Sequence, residues 1–162
     1  MADYYSLSLP LVTLPKGESS PSQVTVASSL SLRKHVERFA VHFKRELHYD
    51  FPQFEAVETE GSPGFVRYEA YLFHKTADDL WQGEEPIKSR VFGACCFRWR
   101  EWTNAPHEWS LDWAWLHPYL RACGHLTKAW PIFESKYGSF HLAHPLSSGM
   151  KQFLKKVGKG AI

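Results

Sequence analysis

The stretch that decides the fold is Trp109-Ser110-Leu111-Asp112-Trp113-Ala114-Trp115-Leu116-His117-Pro118-Tyr119-Leu120-Arg121-Ala122-Cys123-Gly124-His125-Leu126. Its first eight residues are bulky and apolar apart from Ser110, Asp112 and Ala114, which predicts a strand over Trp109–Leu116. Pro118 and Gly124 interrupt that pattern. Beyond them Leu126, Trp130 and Phe133 recur at helical spacing, predicting a helix over Leu126–Tyr137 that Gly138 can stop. Phe140–Ala143 reads as a further short strand. Strand, helix and strand in that order predict a right-handed βαβ unit with the two strands parallel. Pro131 removes one backbone hydrogen bond and is expected to kink or shorten the helix.

Working outward, Arg90–Arg98 contains the run Val91-Phe92-Gly93-Ala94-Cys95-Cys96-Phe97, apolar on both faces and therefore a central strand. Phe54–Val57 and Phe65–Phe73 flank the turn Gly61-Ser62-Pro63-Gly64 and predict a hairpin. Before them Leu32, Val36, Phe39, Ala40, Phe43 and Leu47 form one apolar stripe on a helix, with Ser29 or Ser31 as N-cap and Arg33, Lys34, Glu37 and Lys44 on a solvated face. Met150, Phe153, Leu154 and Val157 mark a last helix, capped by Ser147 or Ser148 and ended by Gly158. Residues 1–28, broken by Pro10, Pro15 and Pro21, read as an extended, partly ordered arm. The fold class expected is mixed α/β, a single domain over 29–162 with helices flanking a mixed sheet.

The 162 residues suit one domain with a sizeable core. Nineteen Lys and Arg against 17 Asp and Glu leave a net charge of +2, too little for a protein that lives on phosphate-backbone electrostatics. No apolar stretch approaches the roughly 20 residues of a membrane helix, and the first 30 residues lack a secretory pattern. Three cysteines without a CxxC pair fit a reducing compartment, so the expected location is cytoplasmic. Aromatic content is the outlier, at 15% with seven tryptophans.

Between strand and helix, Arg121, two residues and Gly124 resemble the Arg/Gln-x-x-Gly-x-Gly/Ala signature of the GNAT superfamily of N-acetyltransferases, and His117-Pro118-Tyr119 is similar to its common lead-in. Val91-Phe92-Gly93-Ala94 resembles the start of that superfamily's central strand. The run Phe140–Met150 is similar to its fifth strand and last helix, and Pro145, Ser148, Gly149 and Phe153 resemble a segment of cohesin acetyltransferases. The resemblance covers roughly residues 30–158. It departs at Leu126, where a small residue is usual, and at Leu154, where a catalytic Tyr is common.

The resemblance implies acetyl-CoA as co-substrate, a primary amine as acceptor (a protein or peptide lysine slightly preferred), and no metal. Amides of Arg121, Ala122, Cys123, Gly124, His125 and Leu126 would hold the diphosphate at a helix start. Pantetheine would lie between the strands, against Trp115, Leu116 and Ser147. Asp112 is the first candidate general base, because large apolar neighbours would raise its pKa, and Glu108 is the second; a solvent-facing strand carboxylate is the alternative for Asp112. Ser148 or Ser147 is the candidate donor to the leaving thiolate. The chain stops four residues after Gly158, so the family's final strand pair is expected from elsewhere, for instance from a homodimer that completes the acceptor site.

Two other functions stay open. One is an inactive domain of this fold that binds acyl-CoA or a partner. The other is a single-stranded nucleic-acid module, with Trp109, Trp113 and Trp115 sharing one strand face; core packing and groove lining compete for the same face. His141 and His144, three apart on a strand, point to opposite faces and suit no metal. Cys123 beside a helix start has no specific base, and Lys151, Lys155, Lys156 and Lys159 read as a solvated helix face.

Overall fold

The computed structural model describes residues 9–14, 18–80, 83, 88–143 and 146–158. Its elements are β1 (Leu11–Val12), β2 (Ser22–Val24), α1 (Leu30–Leu47), β3 (Tyr68–Thr76), β4 (Ser89–Arg100), β5 (Glu108–Leu116), α2 (His125–Tyr137), β6 (His141–Leu142) and α3 (Ser148–Lys156). The strands form one mixed sheet in the order β2-β3-β4-β5-β6, with β1 alongside β4. Every pairing is antiparallel except β5 with β6.

The two-faced apolar run of β4 explains the layering. Val91, Ala94 and Cys96 join the cluster under α1, with Val36, Phe39, Ala40 and Phe43. Phe92, Cys95 and Phe97 join the opposite cluster, with Ala129, Trp130 and Phe133 of α2 and Leu154 of α3. Each fully buried Phe or Val contributes roughly 1.5–3 kcal/mol, so a helix on each face follows from this strand. The mixed α/β architecture is as expected. Among the described residues no helix is long and apolar enough to cross a membrane.

Three local expectations change. Phe54–Val57 is no strand: Phe54 and Ala56 are buried in a loop, and Ala56 N donates to Glu37 while Ala56 O accepts from Arg33, at 2.7 and 2.6 Å. Side chains read as a solvated helix face thus satisfy backbone that a hairpin would have paired, and β3 takes β2 as its outer neighbour instead. The segment read as an arm enters the sheet twice, as β1 and β2, so the domain begins before residue 29. Pro131 lies inside α2 without shortening it, since the helix runs on to Tyr137. The helix starts are as expected, Ser29 and Ser147 each accepting from an amide of the first turn.

Gly93 marks where β4 touches the end of β5. A Cβ there would lie 2.6 Å from Trp115 O and closer still to the Leu116 side chain. Gly93→Ala is expected to lower stability by about 1–3 kcal/mol through overpacking, read as a fall in the urea midpoint; an unchanged midpoint would contradict the close approach.

His42 of α1 is buried and stacked on Trp115 at 4.9 Å. Burial, reinforced by Arg38, lowers its pKa from 6.5 to about 4. The unfolded chain therefore binds the proton first as pH falls, and stability drops between pH 6.5 and about 4, by about 3 kcal/mol at most. Urea midpoints at pH 7 and pH 5 should show the fall, and His42→Gln should flatten it.

Candidate functional site

β5 and β6 pair only at Ser110 with His141 and Leu111 with Leu142, closed by Ala143 N donating to Leu111 O at 3.1 Å. β5 then continues along β4 to Leu116, while the other chain leaves to enter α3 at its Ser147 cap. The strands part, and a small cleft, partly open to solvent, lies in the gap. Leu111, Asp112, Trp113 and Ala114 form one wall, Leu142, Ala143 and Ser147 the other, with Phe43 and Met150 at the sides.

A bulge sits at the mouth of the split. Cys96 pairs with Trp113 and Phe97 with Leu111, which leaves Asp112 without a partner on β4. An extra residue reverses the inside–outside alternation. Trp109 accordingly packs in the α2-side cluster, whereas Trp113 and Trp115 pack under α1. The shared face expected for these three tryptophans does not exist. Trp113 and Trp115 are 2% and 3% exposed, so their ring faces are consumed by the core rather than offered to bases.

The surroundings of Asp112 also differ from expectation. Its side chain is 7% exposed, but its neighbours are charged: Arg100 Nη2 lies 2.5 Å and Arg98 Nε 3.7 Å from Oδ2. Arg98, itself 8% exposed, donates to Val66 O at 2.7 Å and approaches Glu58 at 3.6 Å. The other oxygen, Oδ1, is buried with no hydrogen-bond partner among the described residues. The apolar pocket predicted for the base is thus an arginine-held carboxylate with one bare oxygen, on a residue that lines the cleft. Arg98 was legible as a charge inside an apolar strand, which needs compensation; its partner was not.

Glu108 stands at the other end of β5, accepting from Trp102 Nε1 at 3.3 Å, and does not line the cleft. Ser148 is exposed and outside the lining; Ser147 belongs to it, with Oγ accepting from Met150 N at 3.1 Å. Leu154 is 2% exposed in the core. Trp115 turns its ring to Phe39 and His42, away from the cleft. His117 N donates to Phe92 O, so strand alternation gives β4 the backbone of Trp113 and Trp115 and turns the Ala114 and Leu116 groups toward the split. On that edge Leu116 O already accepts from Arg121 Nε at 2.7 Å.

The loop before α2 is held from outside. Arg121 also donates to both carboxylate oxygens of Glu46, at 2.8 and 3.0 Å, and lies over the Trp115 ring. Its guanidinium is therefore a clamp tying the loop to β5 and α1, not a spare cation. Ala122 and Gly124 adopt φ of 59° and 87°, the left-handed region. The amides of Ala122, Cys123, Gly124, His125 and Leu126 have no hydrogen-bond partner among the described residues. Leu126 packs into the α2-side core rather than into the loop. His125 rests on Phe92 with its pKa lowered by burial, then by Lys75 and Lys128. Cys123 is exposed, its Sγ 3.5 Å from Arg121 O.

Among the described residues no three His, Cys, Asp or Glu side chains are placed to hold a metal ion; His144 lies outside the described residues. Cys95 and Cys96 are buried on opposite faces, and burial pushes both thiols up, Cys96 to about 12. No family model matches the chain, and no curated protein matches it.

Asp112 keeps its 2.5 Å bond to Arg100 when Arg98 is removed, but Val66 O and Glu58 lose their buried guanidinium; removing the one-third exposed Arg100 takes the carboxylate's own hydrogen-bond partner and leaves Arg98 at 3.7 Å. Arg98→Ala and Arg100→Ala are each expected to lower stability by about 1–3 kcal/mol, read by urea denaturation. An unchanged urea midpoint in Arg100→Ala would remove Arg100 as the support of Asp112.

Proposed function

We propose that this chain is an N-acetyltransferase of GNAT type that uses acetyl-CoA and a primary amine, with a protein or peptide lysine preferred as acceptor. The observation that carries the proposal is the split between β5 and β6, together with the unbonded amides at the start of α2, although residues 115–126 are not part of the cleft lining. Acetyl-CoA supplies an acyl thioester: the amine nitrogen bonds to the carbonyl carbon, the carbon–sulfur bond breaks with its electron pair going to sulfur, and sulfur gains one proton as the amine loses one.

The chain's own groups divide the work. Amides of residues 122–126, with the α2 dipole behind them, suit a diphosphate. The backbone of Ala114, turned to the open edge of β5, can pair with an amide of an extended ligand. Asp112, on the cleft wall, is the proposed partner of the incoming amine, and Arg100 and Arg98 hold its carboxylate in place. Ser147 uses its oxygen to accept from Met150 N and keeps an O–H to donate toward the cleft. A second reading, an acyl-CoA-binding module without turnover, draws on Leu154 standing buried where a catalytic Tyr is common.

Titration calorimetry with acetyl-CoA, followed by thiol release in the presence of lysine peptides, separates the two: binding with release supports transfer, and binding without release supports the module. Gly124 has open space around a hypothetical Cβ but a φ of 87°. Gly124→Leu is expected to weaken acetyl-CoA binding at least tenfold, because the side chain strains the turn and screens its amides. Unchanged affinity would mean that this loop does not hold the ligand, and absence of heat with the parent protein would end the proposal.

A further inference from the structure

His117 is 4% exposed where β5 ends, its own amide bonded to Phe92 O of β4 at 2.8 Å. Its ring Nδ1 accepts from Tyr119 N at 3.2 Å and so caps the single helical turn Pro118–Leu120. Arg121 follows that turn directly, its amide bonded to Pro118 O and its guanidinium to Leu116 O and Glu46. The cap therefore fixes the approach to the unbonded amides of residues 122–126.

Helix caps are commonly Ser, Thr, Asp or Asn, whose oxygens remain acceptors across the neutral range. Imidazole accepts at one nitrogen only while it is neutral; once both nitrogens are protonated it has donors alone. A protonated His117 would set an N–H against the N–H of Tyr119. Nothing compensates the charge: Nε2 is buried without a hydrogen-bond partner, and neither ring nitrogen meets a carboxylate among the described residues. From the loop the ring faces Arg121, a cation. From α1 it faces His42, which rests on the same Trp115 ring, while Glu46 is already committed to Arg121. β4 meets the residue through Phe92 O. We infer that His117 is a protonation-sensitive latch on the loop that would hold acetyl-CoA: neutral, it caps the turn and keeps the amides of 122–126 in place; protonated, it releases them.

The sign follows from burial, which with Arg121 lowers the His117 pKa from its usual 6.5. The opened turn takes up the proton before the closed one, so acid below 6.5 favours opening. His42, held at about 4, stays neutral over most of that window. The effect on acetyl-CoA rests on the acetyltransferase reading, whereas the latch does not.

In protein labelled with 15N at its histidines and backbone, the His117 ring signals are assigned by their loss in His117→Asn. At pH 7.5 they should report a neutral ring with its proton on Nε2; a proton on Nδ1 would refute the cap. Lowering the pH to 5 should move the amide signals of Tyr119, Ala122, Cys123 and Gly124 in step with the His117 ring. They should move much less in His117→Asn, whose side-chain oxygen keeps the cap. By calorimetry, acetyl-CoA affinity should fall between pH 7.5 and pH 5 by about threefold or more beyond its fall in His117→Asn, a comparison that cancels protonation of the ligand and of His125. Amides that titrate alike in both proteins, or equal falls in affinity, would leave His117 without this role while the transferase reading stands. If acetyl-CoA does not bind at pH 7.5, the transferase reading fails, and the amide titration still decides the latch.

Discussion

The site depends on one constraint in strand pairing: β5 is paired with β4 from end to end except at Asp112, but with β6 for only two residues. Parallel strands joined through a helix can part wherever the chain after the helix turns away. Here Ser147 caps α3 five residues beyond Leu142 and draws the backbone off the sheet. The open edge of β5 cannot remain dry and unbonded without cost. A cleft, an unbonded loop and a bulge all follow the point of separation.

The bulge converts this gap into a place with chemistry. By adding Asp112 to β5 it gives a carboxylate to two guanidinium groups across the strand. The arrangement is rigid because Arg98 is itself anchored to Val66 O and near Glu58, from the loop that Arg33 and Glu37 hold against α1. Charge burial of this kind adds little net stability, but it fixes where the one bare oxygen stands. Arg121 plays the corresponding part at the loop, where it immobilises the turn and leaves the amides unbonded.

Much of the architecture was legible in the residues. The period-four stripe of α1, the two-faced run of β4 and the strand-helix-strand order around Gly124 all lead to the elements observed. These are local patterns, governed by side-chain period and by caps. The errors arose where a residue's role depends on a distant partner. Phe54–Val57 looked like a strand until Arg33 and Glu37 took its hydrogen bonds, and the proline-broken start looked like an arm until β3 and β4 offered it edges. The candidate site shows the same division: Gly124 and the loop were visible as a turn before a helix, but the face read for Trp109, Trp113 and Trp115 is undone by the bulge.

By itself, then, the amino-acid order determined the three helices and where they begin, the strands β3 to β6, and that a turn containing Gly124 precedes α2. Tertiary structure alone decided that Asp112 is the unpaired residue of a bulge, that Arg98 and Arg100 reach it, and that Trp109 parts from Trp113 and Trp115. The physical reason is register. Side-chain period is written along one strand, whereas a bulge is a mismatch in count between two, and it exists only once both are laid side by side.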